Sequence, residues 1–518
     1  MDQQRQDMNT IKERYNAALN NKSKWETLWS DCYAYTLPQR SMNSGGFTAG
    51  KAHGKDIYDA TALDATDQLA SSLLANLAPP WSAWFGFKPG PDMTPEQADK
   101  MAPQLDRIAK IMQDHIDRSN FNVEIHQCFL DLVIGGTASI MIEEAPPGEF
   151  SALKFTALPL QQFAVAEGAK GTIDSTFRSF EMSYEQVKSR FPEAEFPPRL
   201  LNQGEKDPKT KVNVLESVTP YETYYMYDVL LPDDDTFIHR QRLSNSPFIN
   251  FRWMKSPGEV YGRSPVMKAL PDIKTANKVV ELVLKNASIA VTGIWQADDD
   301  GVLNAANIEL KPGAVIPKAV GSRGLTPLEM PGKFDVSELV LEDLRARIRH
   351  ALLIDRLGML GGRSMTATEV LERSAEIAEI LGATYGRLQA ELLTPLIRRV
   401  MEILKRRGEI PDIILDGRSI ALEYRSPLAR AQGQRNIQTT LSWLQTVQAL
   451  GPAAAMVIDQ VAAAKFLGEA LGVPNHLIKR DDSLASALGF TEGSDGVAQD
   501  VDGLNVLQDI SEGGAGNV

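Results

Sequence analysis

A short stretch near the N-terminus could bind a nucleotide. Gly45 to Lys51 match the G-x-x-x-x-G-K pattern of a phosphate-binding loop, whose backbone N–H groups and lysine contact nucleotide phosphates. Ala52 follows where such a loop needs a serine or threonine hydroxyl to hold magnesium, and no strand pattern precedes the stretch. We therefore expect an exposed loop here, and keep a nucleotide-binding enzyme that uses residues 45–51 as the alternative function.

The other reactive side chains have no spacing typical of a catalytic or metal site. The two cysteines, Cys32 and Cys128, cannot form a disulfide framework or a C-x-x-C site. The six histidines are not spaced as paired metal ligands. They are His53, His115, His126, His239, His350 and His476. The sequence thus predicts no catalytic residue, no metal and no cofactor, and a structural role rather than an enzyme.

Three consecutive aspartates, Asp233 to Asp235, lie between two strand-like segments, 221–227 and 237–243. Aspartate favours tight turns, so the pattern predicts a β-hairpin with the aspartates in its turn. Calcium binding is the weaker interpretation, because neither the EF-hand spacing nor a distal glutamate follows.

The charge of the chain is unevenly distributed. The 518 residues include 54 Lys plus Arg and 67 Asp plus Glu, a formal net charge of −13. After Arg480 there is no basic residue, and eight acidic ones give residues 481–518 a charge of −8, which leaves −5 for the rest. An acidic chain is unsuited to wrapping nucleic acid tightly, because that affinity comes from cations that replace counterions on the phosphates. The acidic, Gly-rich C-terminal segment is predicted to be a flexible tail.

The longest uncharged stretch, Gln68 to Phe87, is long enough to span a bilayer. Pro79 and Pro80 would break a spanning helix near its centre, and several polar residues dilute the stretch. We therefore predict a buried helix followed by a turn, and no membrane segment.

The distribution of proline, glycine and apolar residues predicts an α+β chain that is mainly helical. The first 135 residues have helical patterns, including a capping box from Thr94 to Gln97 with proline at the first helical position. Residues 138–251 read as mainly β. A long helix from Ala367 to Arg407 is predicted to kink around Gly382, Gly386 and Pro395. Residues 411–423 are predicted to form one or two strands, and 427–472 to be helical with a break at 451–452.

Two amphipathic helices flank a Gly- and Pro-rich module of about 40 residues that is typical of short strands. The second helix begins at Asp335, a predicted N-cap with Glu338 three residues on. The apolar stripe of the first helix comprises Ile273, Ala276, Val280, Val283, Leu284, Ala287 and Val291, and that of the second Val336, Val340, Leu344, Ile348 and Leu352. The opposite polar faces comprise Lys274, Lys278, Glu281, Lys285, Glu338, Glu342, Arg345 and Arg349.

Three stretches of the sequence resemble the head-to-tail connector, or portal, proteins of short-tailed bacteriophages (podoviruses). The first is Leu69 to Pro80 with Trp84 and Phe85 behind it. The second is Gly258 to Pro265 running into Leu270 to Ile273, and the third is Met365 to Val370, which opens the long helix. Their order and spacing match the family over most of residues 10–470.

The resemblance implies the portal fold, in which one chain contributes a wing, two stem helices, a β-rich clip, a tunnel loop and a helical crown to a ring. The implied segments are the wing 1–265, stem helix 266–291, clip 292–334, stem helix 335–353, tunnel loop 354–366, long kinked helix with wing strands 367–425, crown 426–480 and the tail 481–518.

The resemblance also implies a function at one capsid vertex of the virion. Such a ring, of twelve subunits, is the channel for packaging and ejecting double-stranded DNA without sequence specificity. Its partners would be terminase, the major capsid or scaffolding protein, and tail adaptor proteins, and it would assemble in the host cytoplasm. The tunnel-loop residues expected to meet DNA are Arg356, Met359, Arg363 and Ser364. Replacing Arg356 and Arg363 with alanine is expected to alter packaging without preventing ring assembly.

Overall fold

The computed structural model describes residues 2–40, 54–292, 295–297, 325–327, 334–354, 382–413, 415–426, 439–450 and 458–471. The chain divides into two units, residues 1–435 and 436–518. Both helices and sheets occur in the first unit, which confirms the α+β class.

The helices of the first unit match the predicted pattern in most places. They are α1 (Asp2–Thr36), α2 (Thr61–Leu77), α3 (Pro95–Arg118), α4 (Phe121–Gly135), α5 (Tyr184–Arg190), α6 (Pro198–Lys206), α7 (Pro265–Thr292), α8 (Phe334–Ala351) and α9 (Thr394–Arg406). Helix α3 begins with the predicted capping box, in which the Thr94 N–H donates to Oε1 of Gln97. In the second unit, residues 439–449 are helical and are followed by α10 (Gln460–Leu471).

Helix α2 and the turn after it confirm the interpretation of the long uncharged stretch. Leu69, Leu73 and Leu77 on α2 are buried in the main core, and the chain turns at Pro79 and Pro80 before the next strand. Among the helices that the structure describes, none combines the length and the apolar character needed to cross a membrane.

The strands that the structure describes form four antiparallel sheets. They are β1 (Phe85–Pro89), β2 (Thr137–Glu144), β3 (Leu153–Leu158), β4 (Phe163–Glu167), β5 (Ile173–Ser183), β6 (Lys211–Tyr221), β7 (Tyr224–Leu231), β8 (Thr236–Leu243), β9 (Phe248–Arg252), β10 (Trp295–Ala297), β11 (Leu325–Pro327) and β12 (Ile420–Tyr424). Their orders are β3-β2-β9, β4-β5-β6-β7-β8, β1-β12 and β10-β11.

The predicted hairpin is present, with one correction. Strands β7 and β8 pair across the three aspartates, but Tyr221 is the last residue of β6, so the first hairpin strand begins at Tyr224. Each aspartate already has a partner: Asp233 accepts from Asn213, while Asp234 and Asp235 pair with Arg199 and Lys12. The described residues contain no His, Cys, Asp and Glu cluster that could hold a metal ion.

The strand predicted within residues 411–423 is shorter and later than expected. Among the described residues of this segment, Ile420–Tyr424 pair with β1, because the residues before them form a turn. The Asp416 carboxylate accepts hydrogen bonds from the N–H groups of Arg418 and Ser419, which closes this turn and removes those groups from any ladder.

The kink of the long helix is a π turn. Gln389–Leu393 form this turn inside a helix that runs from residue 382 to Arg406, and Pro395, which has no N–H to donate to the preceding turn, lies two residues after it. The turn places Glu391 against Arg252 on β9, with Oε1 2.7 Å from Nη2. Residues 355–381, which include the predicted start of this helix at Ala367, lie outside the described residues.

Helix α1 joins elements that are far apart in the sequence. Its N-terminal half covers a small core on one face of the five-stranded sheet that includes Phe177 and Leu215. Its C-terminal half is buried against α4, where Trp29 Nε1 donates to the Gly135 carbonyl at 2.9 Å and the Tyr33 hydroxyl donates to Asp131 at 2.7 Å. The helix thus connects the five-stranded sheet to α4.

Candidate functional site in the paired helices

Helices α7 and α8 pack together along one half of their length, which we call the inner half: α7 as far as Val280, and α8 from Leu341 onwards. Ile273 and Ala276 of α7 are buried there, as are Leu344 and Ile348 of α8. Both predicted apolar stripes therefore form part of the core at this end. An ion pair between Arg347 and Asp272, 3.0 Å apart, joins the two helices at the surface.

A polar side chain on the apolar stripe of α7 fixes the segment before α2. Asn277 is buried, with 7% of its surface exposed. Its Oδ1 accepts from the N–H groups of Tyr58 at 2.7 Å and Asp59 at 3.2 Å, and its Nδ2 donates to the Asp56 carbonyl at 2.9 Å. The sequence signal was available, because Asn277 follows Ile273 by four residues and so lies on the same helix face.

Helix α8 is tied to the same segment by a charged pair. Nε of Arg345 lies 2.9 Å from Oδ2 of Asp59, whose side chain is 4% exposed. Burial raises the pKa of Asp59, but hydrogen bonds from Thr61 and the guanidinium of Arg345 outweigh it, so the pKa lies below its usual value. Arg345 also contacts Glu342 at 3.1 Å, and Arg349 approaches Glu342 at 4.0 Å.

The predicted lysines of α7 are all paired with carboxylates. Nζ of Lys278 and Lys285 lie 2.9 and 2.5 Å from Glu281, one turn away on the same face. Hydrogen bonds from Lys285 and Lys278 lower the pKa of Glu281. Lys274 lies 2.7 Å from Asp31 of α1, so this residue faces another element of its own chain.

The outer half, residues 281–288 of α7 and 338–340 of α8, leaves apolar side chains in solvent. Leu284 and Val340 continue the two buried stripes but are 52% and 44% exposed. Leu282 is 48% exposed, and Leu339 is 75% exposed. At about 100° per residue, Leu282 points away from Leu284, and Leu339 lies opposite Ile348. The outer half therefore presents apolar side chains on two sides.

The family of the chain is decided by a match over nearly its whole length. The family model described as "Bacteriophage head to tail connecting protein" matches residues 8–478, and these include both helices and the sheets. The chain belongs to this family. The head-to-tail connector function is thereby established, and the nucleotide-binding alternative has no support.

Curated relatives also match this chain over most of its length. A portal protein of Enterobacteria phage T3 is 23% identical over 78% of this chain and 75% of its own. One of Salmonella phage epsilon15 is 23% identical over 88% and 85%. A solved neck structure of a gene transfer agent particle is 12% identical, covers 77% of this chain and 93% of its own, and has a TM-score of 0.33.

Several predicted positions of the connector lie outside the described residues. They are the tunnel-loop residues Arg356, Met359, Arg363 and Ser364 and the loop at 45–51. Glu338 is exposed on α8. Helix α8 begins at Phe334, so Asp335 lies inside the helix and is not its N-cap. An N-cap at Asp335 would start the helix at Val336, two residues too late, because an aspartate is also favourable within the first turn.

Proposed function

We propose that the connector forms a closed ring of twelve copies at one vertex of the capsid, with the outer halves of α7 and α8 packed between neighbours. The number of copies follows from the family resemblance. Helices 266–291 and 335–353 are then the stem, 292–334 the clip, 354–366 the tunnel loop, and 426–480 the crown.

The observation that carries the ring is the pair of exposed apolar sides on the outer half. Every subunit of a ring has two different neighbours and contacts them through two different surfaces. Leu282 and Leu284 on α7 point in nearly opposite directions, as do Leu339 and the buried stripe of α8. Exposed leucines at these positions are stabilised when a neighbour removes them from water, by about 25 cal/mol per Å² of apolar surface.

The charge pattern supports a conduit that DNA passes through without being held. The eight predicted polar-face residues comprise five cations and three carboxylates, a net charge of +2. Each of the five cations contacts a carboxylate of its own chain. Paired cations release few counterions from phosphates, so duplex DNA would slide along such a wall and bind it weakly.

In this proposal the protein acts by binding and not by catalysis. It is a virion component that assembles in the host cytoplasm and binds terminase during packaging. It also contacts the major capsid or scaffolding protein and later the tail adaptor proteins. Duplex DNA enters and leaves through the ring.

Negative-stain electron microscopy of the purified full chain tests the ring. Rings with an axial hole are expected for the wild type. Leu284→Asp should leave monomers, because a buried carboxylate at the contact has no partner. The matched control is Gln104→Asp, which adds the same carboxylate at an exposed position of α3, outside the outer half, and should leave rings intact. Compact wild-type monomers would refute the proposal.

The tunnel-loop proposal has a separate test. Replacing both Arg356 and Arg363 with alanine should change the amount of DNA packaged or retained per particle, while rings still form. Genome content is measured in purified particles. An unchanged content in intact particles would remove these arginines from the mechanism.

A further inference from the structure

The three-stranded and five-stranded sheets have four edge strands. Side chains cap three of them by accepting hydrogen bonds from their backbone N–H groups. On β3, the N–H groups of Phe155 and Ala157 donate to Asn120 and Glu124 at 3.0 and 2.7 Å. On β9, the Arg252 N–H donates to Glu391 at 3.0 Å. On β4, the Val165 N–H donates to the Tyr261 hydroxyl at 3.3 Å. These contacts prevent another strand from adding to those edges.

Strand β8, the fourth edge strand, has no such cap. In the described part of the chain, no backbone group of β8 has a hydrogen bond outside its ladder with β7. A bulge at Ile238 interrupts the first part of the strand, and residues 239–243 pair regularly with β7. Just beyond the strand, the Ser244 N–H donates to Glu402. The uncapped edge is therefore short and clearly bounded.

A cavity of about 560 Å³ opens on one side of this edge. Its apolar lining residues are Met141, Phe191, Ile238, Leu243 and Pro247, and His239 and Gln241 of β8 also line it. The three arginines in its wall are already neutralised, Arg190 by Glu216 at 2.8 Å, Arg399 by Glu402 at 3.0 Å and Arg406 by Glu144 at 2.6 Å. The cavity consequently selects an apolar side chain and not an anion.

The opposite side of β8 is cationic. Arg240 and Arg242 lie on this side, because their pairing partners Asp228 and Met226 alternate with Tyr227 on the cavity side. Arg240 is paired with Asp228 at 2.7 Å and with Asp7 at 3.0 Å. Arg242 is exposed and lies over the Tyr224 ring at 5.1 Å, and it has no ion pair with any residue that the structure describes.

We propose that the β8 edge binds an extended segment of a partner protein whose side chains alternate between apolar and acidic. A strand added to β8 makes main-chain hydrogen bonds along residues 239–243 and directs alternate side chains to opposite sides. One set enters the cavity, and the other meets Arg242. All of these residues belong to one chain, so the site does not depend on ring formation.

The test uses the full-length protein and a fluorescein-labelled peptide of alternating valine and glutamate. Fluorescence anisotropy should show binding that Arg242→Glu weakens about tenfold, since a favourable cross-strand pair becomes a repulsive one. A peptide of alternating valine and lysine should bind Arg242→Glu more tightly than it binds the wild type. Arg107→Glu, an exposed arginine on α3, is the matched control and should change neither affinity.

Hydrogen–deuterium exchange locates the bound peptide. Amides in residues 239–243 should exchange more slowly when the valine–glutamate peptide is present. Equal weakening by Arg242→Glu and Arg107→Glu, or protection elsewhere only, would overturn the proposal. It would also be overturned if these amides were already protected in the assembled wild type without peptide, because a neighbouring copy would then occupy the edge.

Discussion

The inner and outer halves of the α7–α8 pair have the same apolar spacing but different surroundings. In the inner half, Ile348 is 1% exposed and residues 56–59 are bound to both helices. In the outer half, the stripe residues Leu284 and Val340 are about half exposed. A continuous stripe therefore serves two purposes: one end stabilises the fold of the single chain, and the other is available to neighbouring copies.

The largest difference between the halves should appear when a buried side chain is shortened. Ile348→Ala is expected to lower the free energy of unfolding by about 2–5 kcal/mol, because it removes buried methylene groups and leaves a cavity. Urea unfolding monitored by circular dichroism measures the change. Ile348→Val should cost only about 0.5–1.5 kcal/mol. Equal effects of the two variants would show that Ile348 is not packed as described.

A smaller loss of stability is expected at the polar contact of the inner half. Asn277→Ala leaves the N–H groups of Tyr58 and Asp59 without their acceptor, at a cost of about 1–3 kcal/mol. The same unfolding measurement applies. Asn286→Ala, at an exposed position of the same helix, should stay within about 0.5 kcal/mol of the wild type.

The Arg345–Asp59 pair should make the inner half sensitive to acid. Because the folded-state pKa of Asp59 is below its unfolded value, the carboxylate stabilises the fold above about pH 4 and this contribution is lost as the pH falls further. The free energy of unfolding should thus fall less steeply below pH 4 in Asp59→Asn than in the wild type. Asp64→Asn, on the exposed side of α2, should keep the wild-type slope.

The smallest effect on stability is expected in the outer half. Leu284→Ala should change the free energy of unfolding by no more than about 0.5 kcal/mol, because the side chain is half exposed in the single chain. The same variant should reduce the fraction of rings in sedimentation velocity experiments. A stability loss as large as that of Ile348→Ala would show that both halves belong to the core of one subunit.

Local sequence patterns predicted the helices and strands better than they predicted the contacts between them. The spacing of Ile273, Ala276 and Val280 located α7, and the aspartates between two alternating segments located the β7–β8 hairpin. Such signals depend on neighbours within a few residues of each other, which the sequence states directly. The cap at Asp335 and the early start of the strand near residue 411 were wrong because element ends are set by competing turns and hydrogen bonds.

Local patterns could not predict which residues the polar side chains bind. Arg345 binds Asp59, 286 residues away, and Lys274 binds Asp31, 243 residues away. A helical periodicity assigns each cation to a face but not to a carboxylate elsewhere in the chain. Asn277 is different, since a polar residue on an apolar stripe signals a buried hydrogen bond before its partner is known.

Helix α1 also constrains the order in which the chain can fold during its synthesis. The helix is about 52 Å long and is made first, yet Asp31 cannot meet Lys274 until 243 further residues have been added. At about 5–20 residues per second, this takes roughly 12–50 s. For most of that interval, until Tyr261 is added, the indole rings of Trp25 and Trp29 lack the Tyr261 ring that they contact in the finished fold. The first segment to leave the ribosome is thus among the last to be fully packed.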